Sequence, residues 1–212
     1  MDRVPVASPS VSAGRYTVMD GDGNPVGTEE FRCAPGPMGW RYFAEIHTSE
    51  PQPHDEIVDL AVDADWRPAR TRIGTGSHEI LLIREGDRLT GFRDGGALEL
   101  AFGHDVHLDY LSPAYNAVTA LRLGGTAEIE VVYLDPVTVE PRPERQRYDD
   151  LGDVEVDTPA GRFAARRWVF TALGSGWSRH LWVAGDIVVR FDGLYELEWY
   201  EAGASGPRPL TP

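Results

Sequence analysis

Residues 108–123 (LDYLSPAYNAVTALRL) form the only stretch whose apolar spacing clearly predicts a helix. Ser112 is a good N-cap residue, because its hydroxyl can accept a hydrogen bond from a free backbone N–H one turn later. Pro113 suits the first helical position, and Gly124 and Gly125 can end the helix in a left-handed turn. The chain on both sides of this helix consists of short alternating segments, which are typical of strands.

The apolar stripe of the predicted helix requires a packing partner, because a helix this short is marginal in water on its own. The chain offers no second convincing helix, so we expect the partner to be a sheet. The stripe is made of residues that recur at spacings of four, three and three along the chain: Leu111, Tyr115, Val118 and Leu121.

The alternating segments predict roughly fourteen strands joined by glycine-containing turns, the first of them at Gly21-Asp22-Gly23-Asn24. The predicted strands are residues 14–20, 26–33, 40–47, 56–62, 69–75, 79–84, 88–93, 97–102, 127–134, 147–157, 161–171, 177–183, 187–191 and 195–201. An open sheet of this width curls or splits. The predicted fold class is therefore all-β with one short helix, an antiparallel meander rolled into a β-roll or barrel around that helix. Such a roll encloses more volume than the helix fills, so we expect a cavity.

The domain organisation predicted from length and spacing is simple. Residues 14–202 form a single β-roll domain, and residues 1–13 and 203–212 form flexible tails. No apolar run reaches the ~20 residues of a membrane span. The first residues lack the apolar core of a secretory signal, which favours a cytoplasmic protein.

The charge of the chain excludes some classes of partner. The formal net charge is −14, which argues against binding to nucleic acid or to an anionic membrane. All 20 basic residues are arginine, so a Schiff-base or lysine-nucleophile mechanism is excluded. The sequence also lacks the nucleotide-binding glycine loops, the serine-nucleophile elbow and the zinc-protease motif, so we expect no cofactor.

Three segments carry a family resemblance: 111–115 (LSPAY), 153–165 (DVEVDTPAGRFAA) and 182–184 (WVA), in this order. The pattern resembles a large, poorly characterised bacterial β-roll family, whose members are similar to lipoprotein-carrier and glycolipid-binding rolls. The resemblance covers residues 14–201. It implies a roll with a cavity for a hydrophobic ligand, and it assigns no reaction.

The densest polar cluster lies just before the helix, at His104-Asp105-Val106-His107-Leu108-Asp109. His107 beside Asp105 and Asp109 is a candidate general base, because histidine titrates near neutral pH. Two histidines and two aspartates are also a possible divalent-metal site, although no further ligand group has a recognisable spacing, and we predict no metal. The remaining interpretation is a polar loop at the entrance to the helix.

The aromatic residues and two arginines supply candidates for a ligand-binding wall. Most aromatics fill a core, but those with a polar N–H or O–H are also suited to line a cavity. Arg70 and Arg72 point to the same side of one strand, either inward to a ligand anion or outward to surface acids. The candidate ligand-binding residues are Trp40, Tyr42, Arg70, Arg72, Tyr110, Tyr115 and Trp182.

These patterns favour a protein that binds an apolar or amphipathic small molecule, such as a lipid or a polyketide-like compound, inside the roll. The alternative is a cofactor-independent isomerase, cyclase or dehydratase that acts on such a molecule in the same cavity. A shaped apolar cavity with one acid or base is sufficient for chemistry of this kind. The sequence leaves the identity of the ligand and the oligomeric state open.

Overall fold

A computed structural model of the chain describes residues 11–37, 39–49, 54–103 and 105–203. It contains one helix, α1, at Pro113–Arg122. The strands are β1 (Ser12–Met19), β2 (Pro25–Gly36), β3 (Gly39–Thr48), β4 (His54–Asp63), β5 (Pro68–Gly74), β6 (Glu79–Glu85), β7 (Arg88–Arg93), β8 (Gly96–Ala101), β9 (His107–Asp109), β10 (Ala127–Leu134), β11 (Pro141–Thr158), β12 (Gly161–Ala172), β13 (Trp177–Ala184), β14 (Ile187–Phe191) and β15 (Tyr195–Ala202).

All described strands belong to one 15-stranded sheet in the order β8-β7-β6-β5-β4-β3-β2-β1-β15-β14-β13-β12-β11-β10-β9. The first and last strands, β1 and β15, pair with each other in the middle of the sheet. The pairs are antiparallel except for β9 and β10, which α1 connects in parallel. The predicted all-β fold is confirmed. The predicted strands do not include β9, because residues 107–109 belong to the polar cluster before the helix.

The sheet is rolled, although its two edge strands do not pair. β8 and β9 lie at opposite ends of the strand order, and only residues 102–106 connect them. A connection of this length spans at most ~20 Å, so the two edges lie close together in space. The Nε of Arg93 on β7 donates a hydrogen bond to the carbonyl of Thr138, beyond β10, at 3.1 Å across this seam.

The helix is buried on all sides, and this differs from the single apolar stripe that the sequence predicts. Every side chain from Pro113 to Ala120 is buried, including the polar residues Asn116 and Thr119. Leu111, predicted to belong to the stripe, is 42% exposed. Small residues explain how a helix fits inside the roll, because they allow the surrounding strands to approach closely; those on α1 are Ala114, Ala117 and Ala120.

Ser112 is the N-cap residue, as the sequence predicts, but its hydroxyl makes no capping hydrogen bond. Instead, the Ser112 Oγ donates to the Oε1 of Glu29 on β2 at 2.7 Å. The helix ends at Leu123 in an extended conformation, so the expected left-handed glycine turn is not used. Tertiary packing, and not local capping, therefore fixes the start of this helix.

The sheet begins and ends with strands near the two ends of the described chain. β1 begins at Ser12, two residues earlier than expected, and β15 ends at Ala202. The rest of the predicted tails, residues 1–10 and 204–212, lies outside the described residues. Within the described part of the chain, no helix has the length and apolarity to cross a membrane.

We expect Val118→Asp to lower the free energy of unfolding by at least about 3 kcal/mol, because it places an unpaired charge in the enclosed core. Val118 is 2% exposed at the centre of α1. The matched control is Val137→Asp, at a turn position that is 74% exposed. Urea denaturation of both variants measures the difference, and equal stabilities would show that α1 is not enclosed.

Candidate ligand-binding site

A cavity of about 900 Å³ lies between the start of α1 and the strands β10 to β15, as the rolled fold predicts. Its volume is in the range of small-molecule binding sites. The apolar and aromatic lining residues are Leu111, Tyr133, Phe170, Ala172, Leu173, Trp177, Phe191, Leu194 and Tyr195. The polar lining residues include Asp109, Tyr110, Asn116, Glu130, Arg142, Glu144, Arg145, Gln146 and Ser175.

One wall of the cavity is a continuous aromatic surface. The ring of Phe170 on β12 packs edge-on against Trp177 on β13 at 5.8 Å and against Phe191 on β14 at 5.6 Å between centroids. Trp177 and Phe191 are themselves 5.9 Å apart. Three adjacent strands therefore present one apolar surface to the cavity, which is the type of surface that binds hydrocarbon.

A buried carboxyl group, that of Asp109, also lines the cavity. Asp109 is 8% exposed and pairs in parallel register with Tyr133 on β10. Its Oδ2 accepts a hydrogen bond from the Nε2 of Gln146 at 2.5 Å. Burial, reinforced by the charge of Glu144, raises the pKa of Asp109 to about 7. The cavity thus contains a carboxyl group that gains or loses a proton near neutral pH.

Gln146 on β11 is 1% exposed and uses only part of its hydrogen-bonding capacity. Its amide nitrogen donates to Asp109, while its buried Oε1 has no hydrogen-bond partner among the described residues. An unpaired buried acceptor is costly in a folded protein. A donor from a bound molecule would satisfy it.

The arginines that line the cavity are already paired. The guanidinium of Arg142 lies 4.6 Å from the centre of the Tyr133 ring, and its Nε donates to Glu144 at 3.1 Å. Arg145 donates to Glu128 at 2.9 Å. The positive charges of the lining are therefore balanced by neighbouring carboxylates, whereas the hydrogen bonds to Asp109 come from the neutral amide of Gln146 and the backbone N–H of Tyr110.

A second buried carboxyl group, that of Glu29, holds the helix. Its Oε1 accepts hydrogen bonds from Tyr42 at 2.6 Å and from Ser112 at 2.7 Å. The Oε2 of Glu29 is buried and has no hydrogen-bond partner among the described residues. Burial raises the pKa of Glu29 to about 7; the two hydrogen bonds oppose this shift, and the nearby charge of Glu56 adds to it.

Glu56 on β4 binds Tyr110, which lies three residues before the start of α1, to the first half of the sheet. Its Oε2 accepts from the hydroxyl of Tyr110 at 2.5 Å, and its Oε1 contacts the Nε2 of His54 at 2.7 Å. Tyr110 also lines the cavity. Burial and the charge of Glu56 raise the pKa of Tyr110, so its hydroxyl remains a hydrogen-bond donor.

The structure separates the three residues predicted as an acid–base group. His107 is buried on β9, does not line the cavity, and places its Nδ1 3.3 Å from the Oγ1 of Thr119. Burial, together with the positive charge of Arg122, lowers the pKa of His107 to about 4 despite Asp105 nearby. Asp105 is exposed and forms an ion pair with Arg122. Of the three, only Asp109 lines the cavity.

His104, the remaining member of the predicted polar cluster, lies outside the described residues. Elsewhere, the described part of the chain holds no group of three or more histidine, cysteine, aspartate or glutamate residues that could bind a metal ion. The loop at Asp20 is a hairpin turn, in which the carboxylate accepts from the backbone and side chain of Asn24.

Most of the predicted aromatic lining belongs to the core and not to the cavity. Trp40 and Tyr42 are 1% exposed and pack together with centroids 5.7 Å apart. Tyr115 is buried against Thr71, with which its hydroxyl forms a hydrogen bond. Trp182 packs beneath the guanidinium groups of Arg167 and Arg190, which lie 5.3 and 5.8 Å from the centre of its ring. Tyr110 is the predicted aromatic residue that lines the cavity.

Arg70 and Arg72 lie on the outer face of β5, because the neighbouring Thr71 is buried. Arg70 donates to Asp59 at 2.6 Å, and Arg72 donates to Glu79 at 2.6 Å. The prediction of an inward-facing anion site is therefore not met, and both arginines pair with carboxylates of neighbouring strands on the outer face. Of these two acids, Asp59 is only 6% exposed.

The sequence prediction missed Gln146 and the aromatic wall. Gln146 lies in the first half of β11, one residue before the predicted strand at 147–157. Pro141 and Pro143 lack backbone N–H groups and disfavour a strand at this point. Those prolines nevertheless pair with β10 opposite Leu134 and Val132. Gln146 and Tyr148 lie two residues apart, and in a strand this spacing places both side chains on the same face. Both are buried in the structure, so this spacing was the signal available in the sequence.

Comparison with known proteins supports the fold alone. No protein-family model matches the chain, and no curated protein matches it. Among solved structures, the chain is similar to a beta-barrel-like protein of domain of unknown function DUF1849 from Brucella abortus. The TM-score is 0.54 at 9% sequence identity, over 93% of this chain and 98% of that chain. This likeness supports a poorly characterised β-barrel-like fold and does not support the comparison with lipoprotein carriers.

We expect Glu29→Gln to change how stability depends on pH. Burial raises the pKa of Glu29 from its ordinary 4.5 to about 7, so between these values the folded state keeps a proton that the unfolded chain has released. The contribution of Glu29 to stability is therefore present below about pH 4.5 and is lost as the pH rises through about 7. Relative to the wild type, the glutamine variant should gain up to about 3 kcal/mol between about pH 4.5 and pH 8.

Urea denaturation at both pH values measures this gain. Glu45→Gln, an exposed position on β3, is the matched control and should show no such change. A difference between the wild type and Glu29→Gln that is the same at both pH values would contradict a buried, titrating carboxyl group at Glu29.

Proposed function

We propose that the protein binds an apolar or amphipathic small molecule, such as a lipid or a polyketide-like compound, in the cavity beside α1. The observation that carries this proposal is the aromatic wall of Phe170, Trp177 and Phe191 in a cavity of about 900 Å³. Burying apolar ligand surface there gains roughly 25 cal/mol per Å² before the costs of association.

The polar groups of the cavity support an amphipathic rather than a purely apolar ligand. Asp109, Gln146 and Tyr110 line the cavity together with the aromatic wall. A few placed polar groups in an apolar cavity fix the orientation of a ligand. An amphiphile would place its chain on the aromatic wall and its polar end near Asp109.

A second candidate function is a cofactor-independent isomerase, cyclase or dehydratase in the same cavity. The observation that favours it is Asp109, since a buried carboxyl group with a pKa of about 7 is suited to accept or give a proton at neutral pH. In this account Asp109 takes the role that the sequence assigned to His107, because His107 does not line the cavity.

We expect Ala172→Trp to weaken binding of a neutral apolar dye such as Nile red, because the indole would occupy part of the cavity that Ala172 lines. The matched control is Ala164→Trp on the same strand, where the side chain is exposed. Fluorescence titration should give an unchanged dissociation constant for the control and at least a ~10-fold weaker one for Ala172→Trp. Equal binding by both variants would place the dye outside the cavity.

The carrier and enzyme functions differ in the fate of the ligand. If the protein is an enzyme, a ligand that co-purifies with it should be recovered partly converted after incubation, and Asp109→Asn should slow the conversion by ~10²-fold or more. If the protein is a carrier, mass spectrometry should recover the ligand chemically unchanged from both proteins. Conversion that persists undiminished in Asp109→Asn would exclude Asp109 as the acid or base.

A further inference from the structure

We propose that the polar end of the ligand is a protonated amine that binds between the carboxylate of Asp109 and the amide oxygen of Gln146. This inference rests on the proposed function, because it assigns the chemical class of the molecule that enters the cavity. It makes the protein a binder of apolar amines in preference to alcohols or fatty acids of the same length.

The first observation is a buried carboxyl group without a positive partner. Asp109 is 8% exposed, and its carboxyl group accepts hydrogen bonds from neutral donors, the side-chain amide of Gln146 and the backbone N–H of Tyr110. Among the described residues, no arginine or histidine forms an ion pair with it. A buried carboxylate is costly unless a cation or several donors compensate it. A ligand ammonium group would supply the missing charge.

The second observation is independent of that charge. Gln146 is 1% exposed, lines the cavity, and has a buried Oε1 that accepts no hydrogen bond from the described residues. An ammonium group has three N–H donors and no acceptor. It can therefore donate to Asp109 and to Gln146 at the same time, whereas a hydroxyl has a single donor.

The charge of the surrounding lining favours a cation over an anion. Glu144 and Glu130 line the cavity together with Asp109. The cavity arginines already serve other groups, since Arg142 donates to Glu144 and Arg145 donates to Glu128. A carboxylate or phosphate head group would meet repulsion from these acids without a free guanidinium to offset it.

The remaining wall suits the apolar body of such an amine. Phe170, Trp177 and Phe191 form one aromatic surface, and Tyr195 lines the cavity beside them. Aromatic faces also attract cations, so a wall of this kind is compatible with an ammonium ligand. Each additional buried methylene strengthens binding, so chain length sets affinity while the amine sets selectivity.

The test compares three ligands of equal chain length: decylamine, decanol and decanoate. Each displaces Nile red from the full chain at about pH 8, where an alkylamine carries its proton and Asp109 is mostly ionised. We expect wild-type protein to bind decylamine at least ~10-fold more tightly than decanol and to bind decanoate most weakly. This comparison requires no variant.

Asp109→Asn should weaken decylamine binding by ~10-fold or more and leave decanol binding within about twofold, because it removes the charge and keeps the shape. Asp87→Asn, at an exposed turn outside the cavity, is the matched control and should change neither. Glu144→Gln should weaken decylamine binding by a smaller factor, about two- to threefold, and it provides a second test if Asp109→Asn unfolds.

Equal affinity for decylamine and decanol, or tighter binding of decanoate, would overturn the amine assignment and leave the apolar cavity of the proposed function intact. Failure of Nile red and of all three ligands to bind would overturn the proposed function and the amine assignment together. Loss of decylamine and decanol binding in equal measure on Asp109→Asn would show a structural role for Asp109 and would also overturn the assignment.

Discussion

The start of the single helix is bound to the sheet by buried carboxylates, and the arrangement of the whole roll depends on these bonds. The carboxyl group of Glu29 on β2 accepts a hydrogen bond from the hydroxyl of Ser112, and that of Glu56 on β4 accepts one from the hydroxyl of Tyr110. On the other half of the sheet, Asn116 donates to the hydroxyl of Tyr148 on β11 at 3.1 Å. The helix and the residues just before it thus contact both halves of the sheet from inside, in addition to the pairing of β1 with β15.

This attachment also explains where the cavity lies. The helix begins against the strands β2 to β5, where Tyr42 and Tyr115 fill the space around it. The facing strands, β10 to β15, are left with uncovered aromatic surface and with the carboxyl group of Asp109. One helix does not fill the interior of a sheet of this width, so a cavity remains between the start of α1 and the strands β10 to β15.

The architecture was predictable from the sequence because it depends on local patterns. Alternation marked the strands, and Ser112 with Pro113 marked the start of the helix. The site was less predictable, because alternation shows which residues face inward but not which of them meet the helix. Tyr42 and Phe170 both face inward. Tyr42 binds Glu29, which holds the start of the helix, whereas Phe170 lines the cavity. The pKa shifts of His107 and Asp109, in opposite directions, likewise arise from burial that only the folded chain defines.

The central claim is that the roll encloses a ligand cavity on the side of α1 that faces β10 to β15. A crystal structure of the protein with a bound neutral apolar dye tests this most directly. We expect electron density for the dye against Phe170, Trp177 and Phe191, with Ser112 at the start of α1 still hydrogen-bonded to Glu29. Dye density on the outer face of the sheet, or a roll in which these aromatic rings fill the interior completely, would contradict it.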